Sequence, residues 1–135
     1  MAAPVDWEDA VSKIQTLFNT GWGTTTPIAW DNVDYRPGIV SWVRFFVMED
    51  ESNQMDMGST LLRYRNGGMA VIYIFVPQNT GTQAAKGLAD TASAIFRGVT
   101  SDEIIFRAPS IKTIGISGAW YQINVLVPYE WDLIA

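Results

Sequence analysis

Met69 to Pro77 is the longest strongly apolar run of the chain, and it restricts the folds that the chain can adopt. Its sequence, MAVIYIFVP, is rich in the β-branched and aromatic residues that favour a strand. A strand that is apolar on both faces belongs in the centre of a sheet or beneath a neighbouring element. The run is far too short for a helix that spans a bilayer. We therefore expect a sheet built around this strand.

The residues before this run predict a tight hairpin. Asn66-Gly67 separates the strand-like segments LLRYR (61–65) and GMAVIYIFVP (68–77) in the way that a type I′ turn does. Upstream, IVSWVRFFVM (39–48) predicts another strand. The acidic segment EDESNQMD (49–56) interrupts that pattern and is predicted to be a projecting loop.

Two segments have helical periodicity. The first begins behind Asp6, a good N-cap, continues through the acidic first turn Glu8-Asp9 and is expected to stop at Gly21. The second is entered through residues 79–82 and closed by Arg97-Gly98. Its apolar face, small enough to lie close on a sheet, consists of Ala85, Leu88, Ala89, Ala92, Ile95 and Phe96.

The C-terminal third of the chain reads as strands. EIIFR (103–107) and SIKTIGI (110–116) meet at Ala108-Pro109, and Ser117-Gly118 turns the chain into the alternating segment AWYQINVLVPYEW. With no internal repeat or linker, one domain over residues 1–135 is expected. The order of elements predicts an α+β fold, a mostly antiparallel β-sheet with two helices packed on one face.

The sequence lacks the residues on which several classes of enzyme and binding protein usually depend. The chain has no Cys and no His, so a thiolate nucleophile, a zinc-thiolate site and the commonest general base are missing. The net charge is −5 with no basic run, which disfavours nucleic-acid binding through phosphates. Charged residues make up only 17% of the chain, which indicates a surface partly covered by partners. We expect a protein that is not an enzyme and has no cofactor.

The remaining candidates for chemistry also have simpler interpretations. Ser12-Lys13 and Ser110-Ile111-Lys112 are possible Ser-Lys arrangements, but neighbouring side chains such as Ser12 and Lys13 point in different directions. Residues 79–82 suit either a helix cap or a weak anion site. Two clusters of acidic residues suggest either a site for a hard cation or solvated loops. One cluster consists of Glu49, Asp50, Glu51 and Asp56, and the other of Asp31 and Asp34.

TPIAWDNVDY (26–35) places an aromatic residue beside polar ones. We interpret residues 27–30 as a short strand whose Trp30 packs on the sheet. Asp31-Asn32 would then form the turn that ends it, because both side chains bond nearby backbone groups.

Arg63 and Arg65 alternate along one strand and therefore share a face. They either keep a sheet edge soluble or meet the acidic segment of a neighbouring copy. The second alternative favours rings built by head-to-tail contacts.

Taken in order, five segments resemble the tail terminator, or tail completion, proteins of long-tailed bacteriophages. They are TPIAWDN, WVRFFV, RNGGMAVIYIFVPQNTGTQAAKGLAD, IFRG and GAWYQINVLVPYEWD, and the likeness extends from the first helix to residue 132. The resemblance rests on the order of structural signatures and carries no catalytic or metal-binding residue.

The resemblance implies a virion protein made in the host cytoplasm. Such a subunit forms a ring, commonly a hexamer, on the head-proximal end of the tail tube. The ring stops polymerisation of the major tail tube protein and provides the docking surface for a head-completion or connector protein. DNA would pass through its lumen without specific binding. The N-terminus has neither the basic start nor the apolar core of a signal peptide, which agrees with this expectation.

Interface residues are expected where projecting segments carry opposite charges. The candidates for contact with another subunit or with the tail tube are Glu49, Asp50, Glu51, Asp56, Arg63, Arg65, Asn66 and Gly67. Two other classes stay open: a monomeric soluble module that binds a small ligand, and an enzyme that works with carboxylates or a metal alone.

Overall fold

A computed structural model describes residues 3–55 and 62–134, without the side chain of Glu51. Two helices and seven strands follow one another along the chain. They are α1 (Trp7–Trp22), β1 (Ile28–Trp30), β2 (Trp42–Gln54), β3 (Arg63–Pro77), α2 (Gln83–Phe96), β4 (Thr100–Ser101), β5 (Ile104–Phe106), β6 (Ser110–Ser117) and β7 (Trp120–Ile134). No helix among these residues is long and apolar enough to cross a membrane.

The strands form one sheet in the order β1-β2-β3-β7-β5-β4, and β6 also pairs with β7. All pairs are antiparallel except β1 with β2. β3 pairs with β7 over its whole length, so β5 and β6 share the opposite margin of β7. Both helices pack on the same face of this sheet, which confirms the predicted α+β architecture.

Helix α1 is set by local signals. The Asp6 carboxylate accepts a hydrogen bond from the backbone N–H of Asp9 at 2.8 Å, and Glu8 and Asp9 face the positive end of the helix dipole. The helix ends at Trp22 and Gly23, so the predicted stop at Gly21 is two residues early. A Cβ on Gly21 would lie 2.9 Å from Ile95, which shows that this glycine allows α2 to approach α1.

Helix α2 lies close to the sheet because its buried face is small, as expected. Ala85, Ala89 and Ala92 are fully buried beneath it. Aromatic rings fill the space between the two layers: Phe18 stacks on Phe45 at 4.4 Å between ring centroids and on Phe96 at 6.2 Å. One continuous core therefore joins both helices to β2, β3 and β7.

The predicted hairpin at Asn66-Gly67 is wrong, because both residues lie within the continuous strand β3. Asn66 pairs with Ser52 on one side and with Trp131 on the other. The prediction of a projecting loop at 49–56 is also wrong over 49–54, which belongs to β2. Asp56 lies outside the described residues. β2 ends at Gln54 and β3 begins at Arg63.

Gly68, the residue after Asn66-Gly67, explains why a glycine-rich stretch occurs inside a strand. The Tyr129 hydroxyl of β7 reaches over Gly68 and donates a hydrogen bond to the Met48 carbonyl of β2 at 3.1 Å. A Cβ on Gly68 would lie 2.0 Å from that carbonyl oxygen and 2.6 Å from the Tyr129 oxygen. Glycine here permits a close approach across three strands, and it does not mark a turn.

The C-terminal strands follow the expectation closely. β5 and β6 are separate strands on either side of Ala108-Pro109, and Gly118, with φ of 61°, turns the chain into β7. The two-residue hairpin between β4 and β5 was not predicted. Its central residues, Asp102 and Glu103, both have positive φ, at 50° and 62°, although neither is a glycine.

Candidate functional site

One face of the sheet carries no helix in the described part of the chain. We call it the open face, and it consists of the outward residues of β2, β3 and β7. Because side chains alternate along a strand, the registers give its apolar members as Trp42, Phe46 and Met48 of β2, Met69, Val71, Tyr73 and Phe75 of β3, and Leu126 of β7. The opposite residues of the same strands form the core under the helices.

The centre of the open face is a shallow apolar depression. A cavity of about 320 Å³ lies here, lined by Phe46, Met69, Val71, Tyr73 and Leu126 among others. Met48 at its rim is 51% exposed. Phe46 and Tyr73 meet edge to face at 5.1 Å, so the floor of this depression is aromatic and well packed.

One end of the open face is closed by an aromatic cluster. Trp42 stacks on Phe75 at 4.3 Å and lies 5.0 Å from the ring of Tyr35, which comes from the segment between β1 and β2. The Arg44 guanidinium sits 5.8 Å from the Trp42 ring centroid. The segment after β1 therefore covers this end of the face and leaves the centre free.

The other end of the face is charged and internally paired. Arg65 donates two hydrogen bonds to the Asp132 carboxylate, at 2.9 and 3.2 Å, and Arg63 lies 3.9 Å from the same carboxylate. Arg107 pairs with Glu130 beside them. The hydrogen bond from Arg65 holds the pKa of Asp132 below its usual value, and the same bond raises the pKa of Arg65.

These pairs change the interpretation of the predicted interface. Arg63 and Arg65 share a face, as expected, but their carboxylate partner is Asp132 of the same chain. Asn66 is 2% exposed and faces the core, which removes it from any surface. Asp50, Arg65 and Gly67 do come together, around a cavity of about 270 Å³.

Glu49 and Asp50 are exposed at the margin of β2. The strand has a β-bulge here. Glu49 pairs with Gly68 and Glu51 pairs with Gly67, so Asp50 has no partner residue on β3. Burial, and to a smaller extent the charge of Glu49, raise the pKa of the neighbouring Tyr129 hydroxyl.

The stretch 26–35 forms the strand end and the turn that we expected, but a backbone hydrogen bond closes the turn in place of the expected side-chain bonds of Asp31 and Asn32. Trp30 ends β1 and packs its ring against Phe18 and Phe45, at 6.4 and 5.9 Å. The turn that follows is closed by a hydrogen bond from the Val33 N–H to the Trp30 carbonyl at 3.2 Å, with Asn32 at positive φ. Across the described residues, no group of three or more Asp and Glu is arranged to hold a metal ion.

The surface of β6 was not among the predicted sites. Its isoleucines are unusually exposed for an apolar side chain: Ile111 by 44%, Ile114 by 51% and Ile116 by 74%. Lys112 lies between them and is also exposed. The sequence SIKTIGIS showed a strand, but which of its two margins would be paired depends on distant residues.

No family model matches the sequence, and no curated protein matches it. The chain is similar to a solved protein structure with a TM-score of 0.62 and 20% sequence identity. That likeness covers 88% of this chain and 93% of the other. At such identity the likeness shows the fold alone.

Proposed function

We propose that the protein is a structural subunit, the tail terminator of a long-tailed bacteriophage. In this role it forms a ring on the tail tube, stops tube growth and offers the surface to which the head docks. The family assignment comes from the resemblance of the sequence. The observation that supports an assembling subunit is the open face, an apolar sheet surface that no helix of the described chain covers.

Apolar patches on a protein surface often mark contacts with a partner. Monomeric soluble proteins rarely expose contiguous apolar patches beyond a few hundred Å². Each Å² of apolar area that a partner covers stabilises the complex by roughly 25 cal/mol before the costs of association. On the open face Met48 is 51% exposed, Phe46, Met69 and Leu126 are half-buried, and Val71 is already buried. One flat partner can cover the four side chains that keep exposed surface.

The rigidity of the sheet supports the same role. β3 is hydrogen-bonded along its whole length to β7 and over most of it to β2, and the Tyr129–Met48 hydrogen bond ties these strands together. A partner that docks on the open face meets a preformed surface and pays little conformational entropy. We assign this face to the tail tube or the head-completion protein, and we place contacts between copies elsewhere.

Electron microscopy of tail tubes tests the proposal. The tube protein encoded in the same genome is polymerised with and without this protein, and tube lengths and ends are recorded. We expect shorter tubes that carry a ring at one end. Tubes of unchanged length with bare ends would contradict the proposal.

A matched pair of variants locates the contact. Met48→Glu adds a charge at the rim of the open face, where the side chain is half exposed and folding should be unaffected. Val5→Glu places the same charge on a residue that is 69% exposed at the start of α1. If the open face contacts the tail tube, Met48→Glu should weaken capping and Val5→Glu should leave it unchanged. Equal capping by the two variants would exclude the open face as the tube contact.

A small-ligand module is the second candidate, because the depression on the open face, at about 320 Å³, is at the lower end of ligand-pocket sizes. It predicts a monomer that never caps tubes. The same tube experiment therefore separates the two functions.

A further inference from the structure

Besides the outer margins of the short end strands β1 and β4, two longer margins of the sheet have no neighbouring strand in the described part of the chain. β1 pairs only with Val43, Arg44 and Phe45 of β2, so the outer margin of β2 at 46–54 has no strand beside it. We call this the β2 edge. β6 pairs only with β7, so the far margin of 110–117 is also free. We call this the β6 edge.

Free edges present rows of backbone N–H and C=O groups that readily pair with another chain. Soluble proteins usually shield them with several charges, proline or a covering element. The β6 edge has one lysine, Lys112, among three exposed isoleucines. A bulge at 113–115 is the other protective feature of this strand, and it leaves 110–113 regular. We expect this edge to be paired when the protein is in its working state.

We propose that the β6 edge of one copy pairs with the β2 edge of the next, so that the sheets of neighbouring subunits become continuous. This inference rests on the proposed function, because it names how the copies of the ring meet. The partner is a second copy of this chain, in head-to-tail contact.

Strand direction favours this arrangement. β2, β3, β7 and β6 are successively antiparallel. A rotation about a ring axis keeps each strand direction, so β6 of one copy would run antiparallel to β2 of the next. The alternation then continues across the subunit boundary without interruption, and the open faces join into one band around the ring.

Charge favours the same pairing over a symmetric one. The β2 edge presents the exposed carboxylates of Glu49 and Asp50, and the β6 edge presents Lys112, which has no ion-pair partner among the described residues. Pairing β2 with β2 would oppose carboxylates, and pairing β6 with β6 would oppose lysines. Only the head-to-tail contact brings opposite charges together.

The position of the two edges along the strands adds a geometric consequence. β6 lies beside β7 residues 120–126, whereas the β2 edge lies, through β3, at the level of 126–133. For the two edges to overlap, each subunit must be displaced along the strand direction relative to its neighbour by about four to seven residues, roughly 13–23 Å. This displacement occurs over the four strands of one subunit, which are together about 19 Å wide. The strands would tilt about 35–50° to the ring axis, which overlaps the 35–45° typical of closed barrels.

Cysteine cross-linking tests the contact, because the chain has no native cysteine. Asp50→Cys and Lys112→Cys variants of different mass are mixed and treated with a short bismaleimide. Each variant carries a single cysteine, so every cross-link joins two copies. We expect mixed dimers in clear excess over both homodimers. Gln15→Cys, on α1, provides the level of random cross-linking.

Three outcomes would overturn the inference. Homodimers of Lys112→Cys alone would indicate a symmetric β6 contact, and homodimers of Asp50→Cys alone a symmetric β2 contact. Mixed dimers at the level of the Gln15→Cys control would exclude edge pairing altogether. If the protein still caps tail tubes in that case, the proposed function stands and only the edge contact fails.

Charge reversal gives an independent readout by light scattering. Lys112→Glu and Asp50→Lys should each reduce the oligomer mass, and the two changes combined in one chain should restore it. If the double variant lost as much oligomer mass as the two single variants together, the result would contradict the contact.

Discussion

Gly68 allows three strands of the sheet to be joined by one hydrogen bond. Its missing side chain leaves room for the Tyr129 hydroxyl to reach the Met48 carbonyl, which joins three strands at a single point. The hydroxyl is largely buried, so the loss of this hydrogen bond leaves a polar group without its partner.

Gly68→Ala is expected to destabilise the fold by about 1–3 kcal/mol, because the added Cβ overlaps the Met48 carbonyl and the Tyr129 hydroxyl. Gly87→Ala is the matched control, since this glycine lies exposed within α2 with no atom near the added Cβ. It should stabilise the protein by about 0.5–1 kcal/mol. Urea denaturation measures both, and a neutral Gly68→Ala would refute the close-approach role.

Asp132 makes the stability of the fold depend on pH. Its folded pKa is lowered, first by the hydrogen bond from Arg65, so its contribution to stability is present above the unfolded pKa and is lost as pH falls through the folded pKa. Asp132→Asn should therefore be less stable than the parent at neutral pH, and the difference should shrink below about pH 4. Urea midpoints at pH 7 and pH 3 measure this. A difference that does not depend on pH would mean that the ionised pair contributes nothing.

At the scale of elements, the alanine face of α2 sets the distance between the helix layer and the sheet. Ala85, Ala89 and Ala92 have no exposed surface. Ala89→Leu should cost about 1–3 kcal/mol by forcing the layers apart. Ala84→Leu, on the exposed side of the same helix, should change stability by less than about 0.5 kcal/mol. Thermal unfolding compares them, and equal melting temperatures would show that the layers are not close-packed.

The helices were predictable because their signals are local. Asp6 caps α1 through a residue three positions away, and the periodicity of α2 is visible within fourteen residues. The end of α1 was predicted wrongly, because Gly21 makes room for Ile95 of α2 and does not cap the helix.

The hairpin prediction failed for the same reason. Asn66-Gly67 is a strong turn signal by itself, but β2 and β7 supply hydrogen bonds on both sides of it and hold it extended. The true hairpin turn at Asp102-Glu103 has no such signal, since neither residue is the glycine that the turn favours. The charges of the candidate interface are visible in the sequence, but the carboxylate that pairs with Arg65 belongs to Asp132, 67 positions away.

At the scale of the whole molecule, the described residues form a helix-covered face, an open face and two long sheet edges. The helix layer seals one face of the sheet, the open face has an apolar centre, and the β2 edge and the β6 edge flank it on opposite margins. We assign the edges to neighbouring copies and the open face to the tube or the head protein. A ring built in this way needs no catalytic group, because each subunit contributes only shape, backbone pairing and charge.

Native mass spectrometry of the chain, alone over a range of concentrations and mixed with tail tubes, tests this account most directly. We predict a closed oligomer of defined copy number, six by the family resemblance, that forms at high concentration or on the tube. The same copy number should appear in rings seen at tube ends. A protein that stays monomeric at every concentration and in the presence of tubes would contradict the account.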